Sequence, residues 1–300
     1  MTGARHHDNN SDEATVDTSA INSLSLRLRE FEFADEDFEA LRQLVKQTTG
    51  IALSDQKREL VYGRLARRLR ALNIRSFREY RNLLAGDSDE LVQFCNAITT
   101  NLTAFFREPH HFDHLKEHVL QPLAAKPGAV RRFRIWSSAC STGEEPYTIA
   151  MTVLESIPNL ERWDIRILAT DLDSDVLGKA SRGVYLAERL RTLSAERRQR
   201  FFTPVQGAKE PSFTVAHDMA RLITFRQLNL MHPFPMKGPL DVIVCRNVLI
   251  YFDKDTQREL VGRMARLQRP GDLLFLGHSE SLFKVSTEYT LIGRTIYRRS

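Results

Sequence analysis

The sequence predicts an α/β protein in which a small all-α domain precedes an open, doubly wound and mostly parallel sheet. Between residue 30 and about residue 98, apolar residues recur at helical spacing in four segments with short connections. After about residue 130, short apolar runs alternate with helical patterns, as strands and crossover helices do in a parallel sheet. Residues 1–29 are polar and low in aromatic residues, which predicts a disordered tail.

Length and composition restrict the class of protein. The chain has 300 residues, 42% of them hydrophobic, so it can bury the cores of two domains. A net charge of +5 suits an acidic partner but does not by itself indicate nucleic acid. Three cysteines without a CxxC motif indicate a reducing compartment. The N-terminus lacks the apolar region of a signal peptide, and no apolar run approaches the roughly 18 residues of a membrane span. We therefore expect a monomeric cytoplasmic protein that does not insert into membranes.

The all-α domain, residues 30–98, is predicted helix by helix. Asp35 is the candidate N-cap of the first helix, which carries apolar residues at helical spacing and stops at Gly50. The second lies in "SDQKRELVYGRLARRLRAL" with Ser54 or Asp55 as its cap, and "SFREYRNLLAG" and "DSDELVQFCNAITTN" supply two more. On a helical wheel, one side of the second helix is apolar and most of its arginines lie on the other side.

The arginine side of this second helix is a candidate docking face. Residues 57–70 contain six basic residues against a single acid, Glu59, so we expect little internal ion pairing and an acidic partner. An ordinary solvated face has the same pattern and remains the alternative. The candidate substrate-binding residues are Arg64, Arg67, Arg68 and Arg70.

The α/β domain, residues 99–300, is predicted from its apolar runs. Strands are expected in "FRIWSS", "DIRILATD", "LDVIVCRN" and "GDLLFLGHSE", and helices begin near Glu144, Ser174 and Asp255. Between Gly183 and Asn229 this alternation breaks. There "SFTVA" and "LITFRQ" predict two strands of a small inserted antiparallel unit, at about 186–226.

Chemistry is expected beyond the carboxyl ends of the strands, where open α/β sheets bind ligands. Asp171 ends the second strand and suits a ribose, because its carboxylate can accept both hydroxyl protons. The first turn, "ACSTGEE", has one glycine and two acids, which oppose a pyrophosphate but suit an ammonium or sulfonium. S-adenosylmethionine (SAM) meets this description. The alternative for Glu144 and Glu145 is that they only stabilise the helix dipole.

Five motifs in order carry a family resemblance: "TTNLTAFFREPHHF", "WSSACSTGEEPYTIA", "ATDLD", "CRNVLIYFDKDTQ" and "GHSESL". From about residue 33 to the C-terminus, the chain resembles the CheR-type chemotaxis receptor glutamate O-methyltransferases. The resemblance implies a Rossmann-like SAM-dependent methyltransferase domain with an inserted antiparallel β-subdomain, after a small all-α domain. It implies methyl transfer from SAM to glutamates on the cytoplasmic helices of chemoreceptors (methyl-accepting chemotaxis proteins). The products would be glutamyl methyl esters and S-adenosylhomocysteine.

The resemblance also implies site residues, carried over by motif. Arg107 and Tyr251 lie where the family places groups close to the transferred methyl. In some members, a glycine-rich loop of the β-subdomain binds the C-terminal peptide of the receptor. The corresponding stretch here has a single glycine, Gly207, so binding of that peptide stays open. The implied cofactor contacts are Asn101, Thr103, Arg107, Ala139, Glu145, Asp171, Asn229, Leu230, Arg246 and Asn247.

Other readings stay open at this stage. A non-catalytic SAM-binding receptor adaptor would keep the fold, and a methyltransferase acting on RNA or a small molecule would also suit the basic charge. A dinucleotide oxidoreductase is disfavoured by the missing glycines. We expect no nucleic-acid partner and no metal site. Four histidines suggest a metal cluster by spacing, but no recognised zinc pattern is complete: His110, His111, His114 and His118.

Overall fold

The computed structural model describes residues 29–126 and 132–300. Apart from Arg29, the predicted disordered tail lies outside the described residues. Among the described residues, no helix combines the length and the apolar character that crossing a membrane requires.

Four helices form the N-terminal part, as the periodicity predicts. They surround an apolar core built around Phe38, Leu65, Phe77 and Phe94. Ala34, and not Asp35, occupies the N-cap position of the first helix, while Gly50 ends that helix in the left-handed conformation. The helices are α1 (Asp35–Thr49), α2 (Arg58–Leu72), α3 (Phe77–Gly86) and α4 (Ser88–Ile98).

The rest of the described chain alternates strands and helices. The helices are α5 (His110–His114), α6 (Gln121–Ala125), α7 (Glu144–Ser156), α8 (Ser174–Arg182), α9 (Ala195–Phe201), α10 (His217–Ala220) and α11 (Lys254–Ala265). A π-helical turn (Leu115–Leu120) joins α5 to α6. The strands are β1 (Arg132–Ser137), β2 (Asp164–Asp171), β3 (Val184–Leu186), β4 (Phe202–Pro204), β5 (Ser212–Val215), β6 (Ile223–Gln227), β7 (Val242–Cys245), β8 (Leu273–Leu276), β9 (Tyr289–Gly293) and β10 (Ile296–Arg299).

A seven-stranded sheet has the order β6-β2-β1-β7-β8-β10-β9. Its first five strands are parallel, and β10 runs antiparallel to both β8 and β9. Apolar residues fill the layers on both faces of this sheet. The predicted fold class is therefore confirmed: a mostly parallel, doubly wound sheet follows an all-α part. The β9–β10 hairpin was not expected from the sequence.

The inserted antiparallel unit differs from the prediction in one strand. Its sheet has the order β3-β5-β4, so "SFTVA" forms the central strand as expected. The "LITFRQ" segment is a strand, as predicted, but its placement in the inserted unit is wrong, because it forms β6, which pairs in parallel with β2 at the edge of the large sheet. An edge strand is buried on one side only, and the alternation of Ile223 and Phe225 has the same period in either kind of sheet.

The helical part packs against the carboxyl edge of the large sheet. Backbone N–H of Ala52, just after α1, donates to the carbonyl of Tyr251 at 2.8 Å. The Asn229 side-chain amide donates to the carbonyl of Thr48 at 2.6 Å. Lys46 forms an ion pair of 2.8 Å with Asp253. The end of α1 and the segment after it are thereby held beside the chain that follows β6 and β7.

Candidate active site

A cleft opens at the carboxyl ends of β1, β2 and β7. Strand β1 lies between β2 and β7 here, and the chain leaves the sheet in opposite directions on its two sides, which is where doubly wound sheets bind ligands. The helical part contributes Thr49, Ile51, Lys57 and Leu60 to the wall. The structure brings together every residue that the sequence nominated for catalysis or cofactor binding: Asn101, Thr103, Arg107, Ala139, Glu145, Asp171, Asn229, Leu230, Arg246, Asn247 and Tyr251.

Asp171 is a fixed carboxylate in this cleft. Its Oδ2 accepts the backbone N–H of Ser141 at 2.8 Å, and its Oδ1 accepts that of Asp173 at 2.9 Å. Burial raises the pKa of Asp171 to about 6, against the two backbone donors that favour its charge. Each oxygen keeps a lone pair for a further donor. The arrangement can therefore accept two hydroxyl protons, as the sequence interpretation requires.

The turn after β1 is crowded, and its single glycine has a structural cause. Gly143 has a φ of 96°, and a Cβ there would come within 2.7 Å of the Tyr185 hydroxyl and 2.9 Å of Ala180. Ser141 adopts a positive φ of 49° without being glycine, and its Oγ donates to the carbonyl of Asn101. Gly143 thus permits close packing of α7 against α8, and no glycine is placed for the approach of a phosphate.

The two acids of this turn, which the sequence treats as a pair, diverge in the structure. Glu144 is buried away from the cleft, where it pairs with Arg189. Glu145 lines the cleft, and its oxygens accept from the Ser137 hydroxyl at 2.7 Å and from Arg246 at 3.1 Å. Burial raises the pKa of Glu145, and the charge of Arg246 opposes this. Only Glu145 is available to a cationic group of a ligand.

Arg246 acts as a buried connector. Its side chain is 2% exposed and forms ion pairs with Glu145 and, at 3.4 Å, with Glu108. It also donates to the backbone carbonyl of Arg107. Two hydrogen bonds join its terminal nitrogens to Glu145 and Arg107, and its buried Nε has no hydrogen-bond partner among the described residues. Its predicted direct contact with the cofactor stays a prediction.

The two candidate catalytic side chains retain free polar groups. Arg107 lines the cleft and donates one guanidinium N–H to the carbonyl of Leu102 at 2.8 Å. Tyr251 is anchored through its backbone by Ala52 and Val248. Among residues 29–126 and 132–300, its hydroxyl has no hydrogen-bond partner. Both groups are therefore available for a substrate or cofactor.

Two asparagines nominated as cofactor contacts have side chains that hold the walls together. The Asn101 amide donates to Asp173 at 2.7 Å, and the Asn229 amide is bonded to Thr48. Thr103 lines the cleft, and its backbone carbonyl accepts a hydrogen bond from Arg189. Contact with a ligand through the remaining atoms of these residues stays a prediction.

Glu280 is a site residue that the residue-level reasoning missed. Its buried carboxylate accepts four backbone N–H groups, those of Gly277, Asn247, Val248 and Ile250, at 2.6 to 3.3 Å. It fixes the loop after β7, in which Asn247 has a left-handed φ of 60°. Glu280 belongs to the "GHSESL" motif, but its partners lie about 30 residues earlier in the chain, so no local pattern assigns the glutamate to this loop.

The arginines of α2 do not act as one face. The expectation of little internal pairing is wrong, because Arg68 pairs with buried Glu90 and Arg70 with Glu30 at 3.0 Å. Arg64 donates to carbonyl groups at the end of α4, including that of Thr99 at 2.7 Å. Arg67 alone of the four is exposed with no acidic partner among the described residues. Arg64 and Arg68 are engaged in contacts within the protein, so the residues left as candidates for docking a partner are Arg67 and Arg70, of which Arg70 already pairs with Glu30.

His110, His114 and His118 do not come together as one group of metal-ligand atoms in the described structure. The rings of His114 and His118 lie with centroids 4.7 Å apart and with their planes inclined by 46°. Burial lowers the pKa of His111 to about 3, so this ring is neutral at pH 7. Arg246, 3.4 Å from Glu108, opposes a cation beside that carboxylate. Within the described part of the chain, the donor atoms that come close enough together for a metal ion belong to Glu108, His110 and His111.

Comparison with known proteins decides the family. Residues 36–99 match the all-alpha domain of CheR methyltransferases, and residues 101–298 match their SAM-binding domain. The chain belongs to the CheR methyltransferase family. The chemotaxis protein methyltransferase of Escherichia coli K12 is 42% identical over 283 residues, which cover 93% of this chain and 96% of that protein. Chemotaxis protein methyltransferase 2 of Pseudomonas aeruginosa PAO1 is 44% identical over 270 residues, 90% of this chain and 95% of that protein.

The resemblance seen in the motifs is thereby confirmed, and the CheR methyltransferase has SAM as its cofactor. The cleft fits this molecule. Asp171 offers acceptors for a ribose, Glu145 offers a negative charge for an ammonium, and the N-terminal turn of α7 carries acids where a phosphate would need donors. Apolar walls at Ala139 and Leu230 can contact a base.

Proposed function

We propose that this CheR methyltransferase transfers the methyl group of SAM to glutamate carboxylates on the cytoplasmic helices of chemoreceptors, forming methyl esters. One observation carries the proposal. Glu145, Asp171 and Arg107 line one cleft with the free hydroxyl of Tyr251, in a chain similar over most of its length to named chemotaxis protein methyltransferases. Methylation of this kind would serve adaptation in chemotaxis.

The charges of the cleft suggest how the cofactor lies. Asp171 would hold the ribose hydroxyls and Glu145 the ammonium, because each offers carboxylate lone pairs toward the cleft. Arg107 presents a fork of donors suited to a carboxylate, either that of the cofactor or that of the substrate. When bound, SAM supplies an electrophilic methyl group on a sulfonium.

The protein does not need to remove a proton from the substrate. A glutamate side chain has a reference pKa of about 4.3 and is already ionised at pH 7. Catalysis then depends on placing the carboxylate oxygen in line with the methyl group and on excluding water, which favours the neutralisation of charge. The Tyr251 hydroxyl can orient that oxygen by donating a hydrogen bond. We therefore assign no general base.

The mouth of the cleft suits an acidic amphipathic helix. Leu60 and Lys57 lie on its wall, and Leu102, which is 78% exposed, lies on the same wall. Arg67 and Arg70 continue the basic character along α2. Such a surface would steer a receptor segment that carries methylatable glutamates. In this proposal, residues 30–98 form the docking domain and residues 99–300 the catalytic domain.

Location and further partners belong to the same proposal. All three cysteines are buried and free, as expected in a reducing cytoplasm. The chain would act as a monomer, without nucleic acid and without entering the membrane. A receptor C-terminal peptide bound at the β3-β5-β4 sheet would raise the local substrate concentration. Titration with such peptides tests that element separately.

Incubation with methyl-labelled SAM and receptor-enriched membranes tests the central proposal. Base-labile label on the receptor is expected, and Tyr251→Phe should lower kcat while the affinity for S-adenosylhomocysteine stays unchanged. Binding of SAM without transfer would favour a receptor adaptor, and label in RNA or in a small molecule would favour another substrate. Tyr251→Phe with full kcat would contradict the role given to the hydroxyl.

A further inference from the structure

Glu108 carries a largely buried carboxylate that none of the roles above uses. It follows Arg107 directly, and its backbone has a φ of 57°, a left-handed conformation that residues other than glycine rarely adopt. Such strain persists where surrounding contacts hold it, and it concentrates at functional sites. The side chain is only 10% exposed. The backbone therefore bears a cost that places this carboxylate inside the protein.

The surroundings of Glu108 keep it charged. Burial opposes its ionisation, but hydrogen bonds from His278 and the charge of Arg246 prevail and lower the pKa of Glu108 to about 2. The His278 backbone N–H lies 3.2 Å from Oε1, and the ring Nδ1 lies 2.9 Å from it. Oε2 faces Arg246 at 3.4 Å. One oxygen is thus held by the loop after β8, and the other meets the guanidinium.

Arg246 lies between two carboxylates. On one side it meets Glu108, and on the other it bonds Glu145, which lines the cleft. Its remaining bond goes to the carbonyl of Arg107. Two carboxylates around one buried guanidinium leave an excess negative charge, which a ligand cation near Glu145 would balance. The orientation of Glu145 and the backbone position of Arg107 both depend on where this guanidinium lies.

We propose that Glu108 is a positioning residue for the amino-acid end of the cofactor, acting through Arg246 on Glu145 and Arg107. The inference rests on the proposed placement of the cofactor ammonium at Glu145. Without the Glu108 charge, Arg246 is held on one side only and draws on Glu145 alone. Glu145 then presents less negative charge to the ammonium, and Arg107 loses its fixed carbonyl contact. The adenosine part, held by Asp171, is not affected.

Two ligands separate this role from a general structural one. S-adenosylhomocysteine carries the amino-acid group, whereas 5′-methylthioadenosine keeps the adenine, ribose and sulfur but lacks that group. In calorimetric titration, Glu108→Gln should lower the affinity for S-adenosylhomocysteine by about tenfold or more, which is the effect of losing one charge-assisted contact. It should leave the affinity for 5′-methylthioadenosine unchanged. Glu117→Gln removes the same charge from an exposed position nearby and should alter neither affinity.

Several outcomes would overturn the proposal. Equal losses for the two ligands would show that Glu108 only supports the fold of the cleft, and no loss for either would show that it supports nothing there. Urea unfolding of each variant checks folding. If Glu108→Gln does not fold, Glu108→Asp keeps the charge and should show a smaller but equally selective loss, so a non-selective loss counts against the role. Absence of S-adenosylhomocysteine binding by the unaltered protein would instead defeat the proposed function.

Discussion

Protonation of Asp171 should reduce nucleoside binding as the pH falls from 7 to 5. Burial raises its pKa from 3.8 to about 6, a rise that corresponds to about 3 kcal/mol of destabilised charge in the ligand-free protein. The sign follows from linkage. Folded Asp171 binds its proton more tightly than the unfolded chain does, so its charge opposes folding above pH 6, and this penalty vanishes below the unfolded pKa near 4. Ribose hydroxyls need the ionised form as acceptor, so affinity is present above pH 6 and is lost below it.

The size of the loss follows from the pKa. If only ionised Asp171 accepts the ribose, a group with a pKa of about 6 goes from mostly ionised at pH 7 to about one-tenth ionised at pH 5. Affinity should therefore fall by about tenfold, or about 1.4 kcal/mol. Burial also raises the pKa of Glu145, which complicates the use of any ligand that carries an ammonium. The ligand 5′-methylthioadenosine has none and reports on Asp171 alone.

Isothermal titration of 5′-methylthioadenosine at pH 7, 6 and 5 measures this dependence. Asp171→Asn is the matched control, because the amide keeps the size of the side chain but cannot ionise. We expect weaker binding at pH 7 in this variant and no further loss toward pH 5. An affinity of the unaltered protein that is the same at pH 5 and pH 7 would refute the reasoning. The same decline in Asp171→Asn would refute it as well.

Four further substitutions test the roles given to other residues. Arg246→Met should lower the free energy of unfolding in urea by about 3–5 kcal/mol, because it leaves two buried carboxylates without their partner; a loss below about 1 kcal/mol would contradict this. Arg67→Ala should raise the KM for the receptor at low salt and leave the free energy of unfolding unchanged, and an unchanged KM would reject the steering role. Arg68→Ala should instead lower the free energy of unfolding by about 1–3 kcal/mol, because its carboxylate partner Glu90 is buried. Gly50→Ala should destabilise the protein by at least about 1–2 kcal/mol, because Gly50 has a φ of 76° and a Cβ there would clash with Met231; thermal unfolding at the original temperature would show that the contact yields.

Most of the fold could be predicted from local patterns in the sequence. The helices α1 to α4 and the parallel strands β1, β2, β7 and β8 have clear periods and end signals, so their positions could be read directly from the chain. The sheet to which β6 belongs could not be predicted, because its pairing with β2 depends on the path by which the chain returns after the inserted unit. The β9–β10 hairpin was missed, since half-exposed strands such as Tyr289–Gly293 lack a continuous apolar run.

The site was predictable in its membership but not in its internal contacts. Strand ends and motifs identified the cleft residues, since chain position determines which residues reach the carboxyl edge. Charge pairing was not predictable, because it joins residues far apart in sequence. Arg68 meets Glu90, and Arg246 meets Glu108 and Glu145, across separations that no local pattern encodes. For the same reason Glu144 and Glu145 looked equivalent, although only one reaches the cleft.

The segment between α1 and α2 has a consequence for modularity. The two domains of the family meet near residue 100, yet the all-alpha domain contributes part of the cleft wall: Thr49, Ile51, Lys57 and Leu60. The functional unit therefore crosses the family boundary. A catalytic half produced alone would have an open-sided cleft. In a chimera that joins the all-alpha domain of one relative to the SAM-binding domain of another, part of the cleft wall would come from a different protein. The residue at position 231 would then have to fit the residue at position 50, because Met231 packs against Gly50 here.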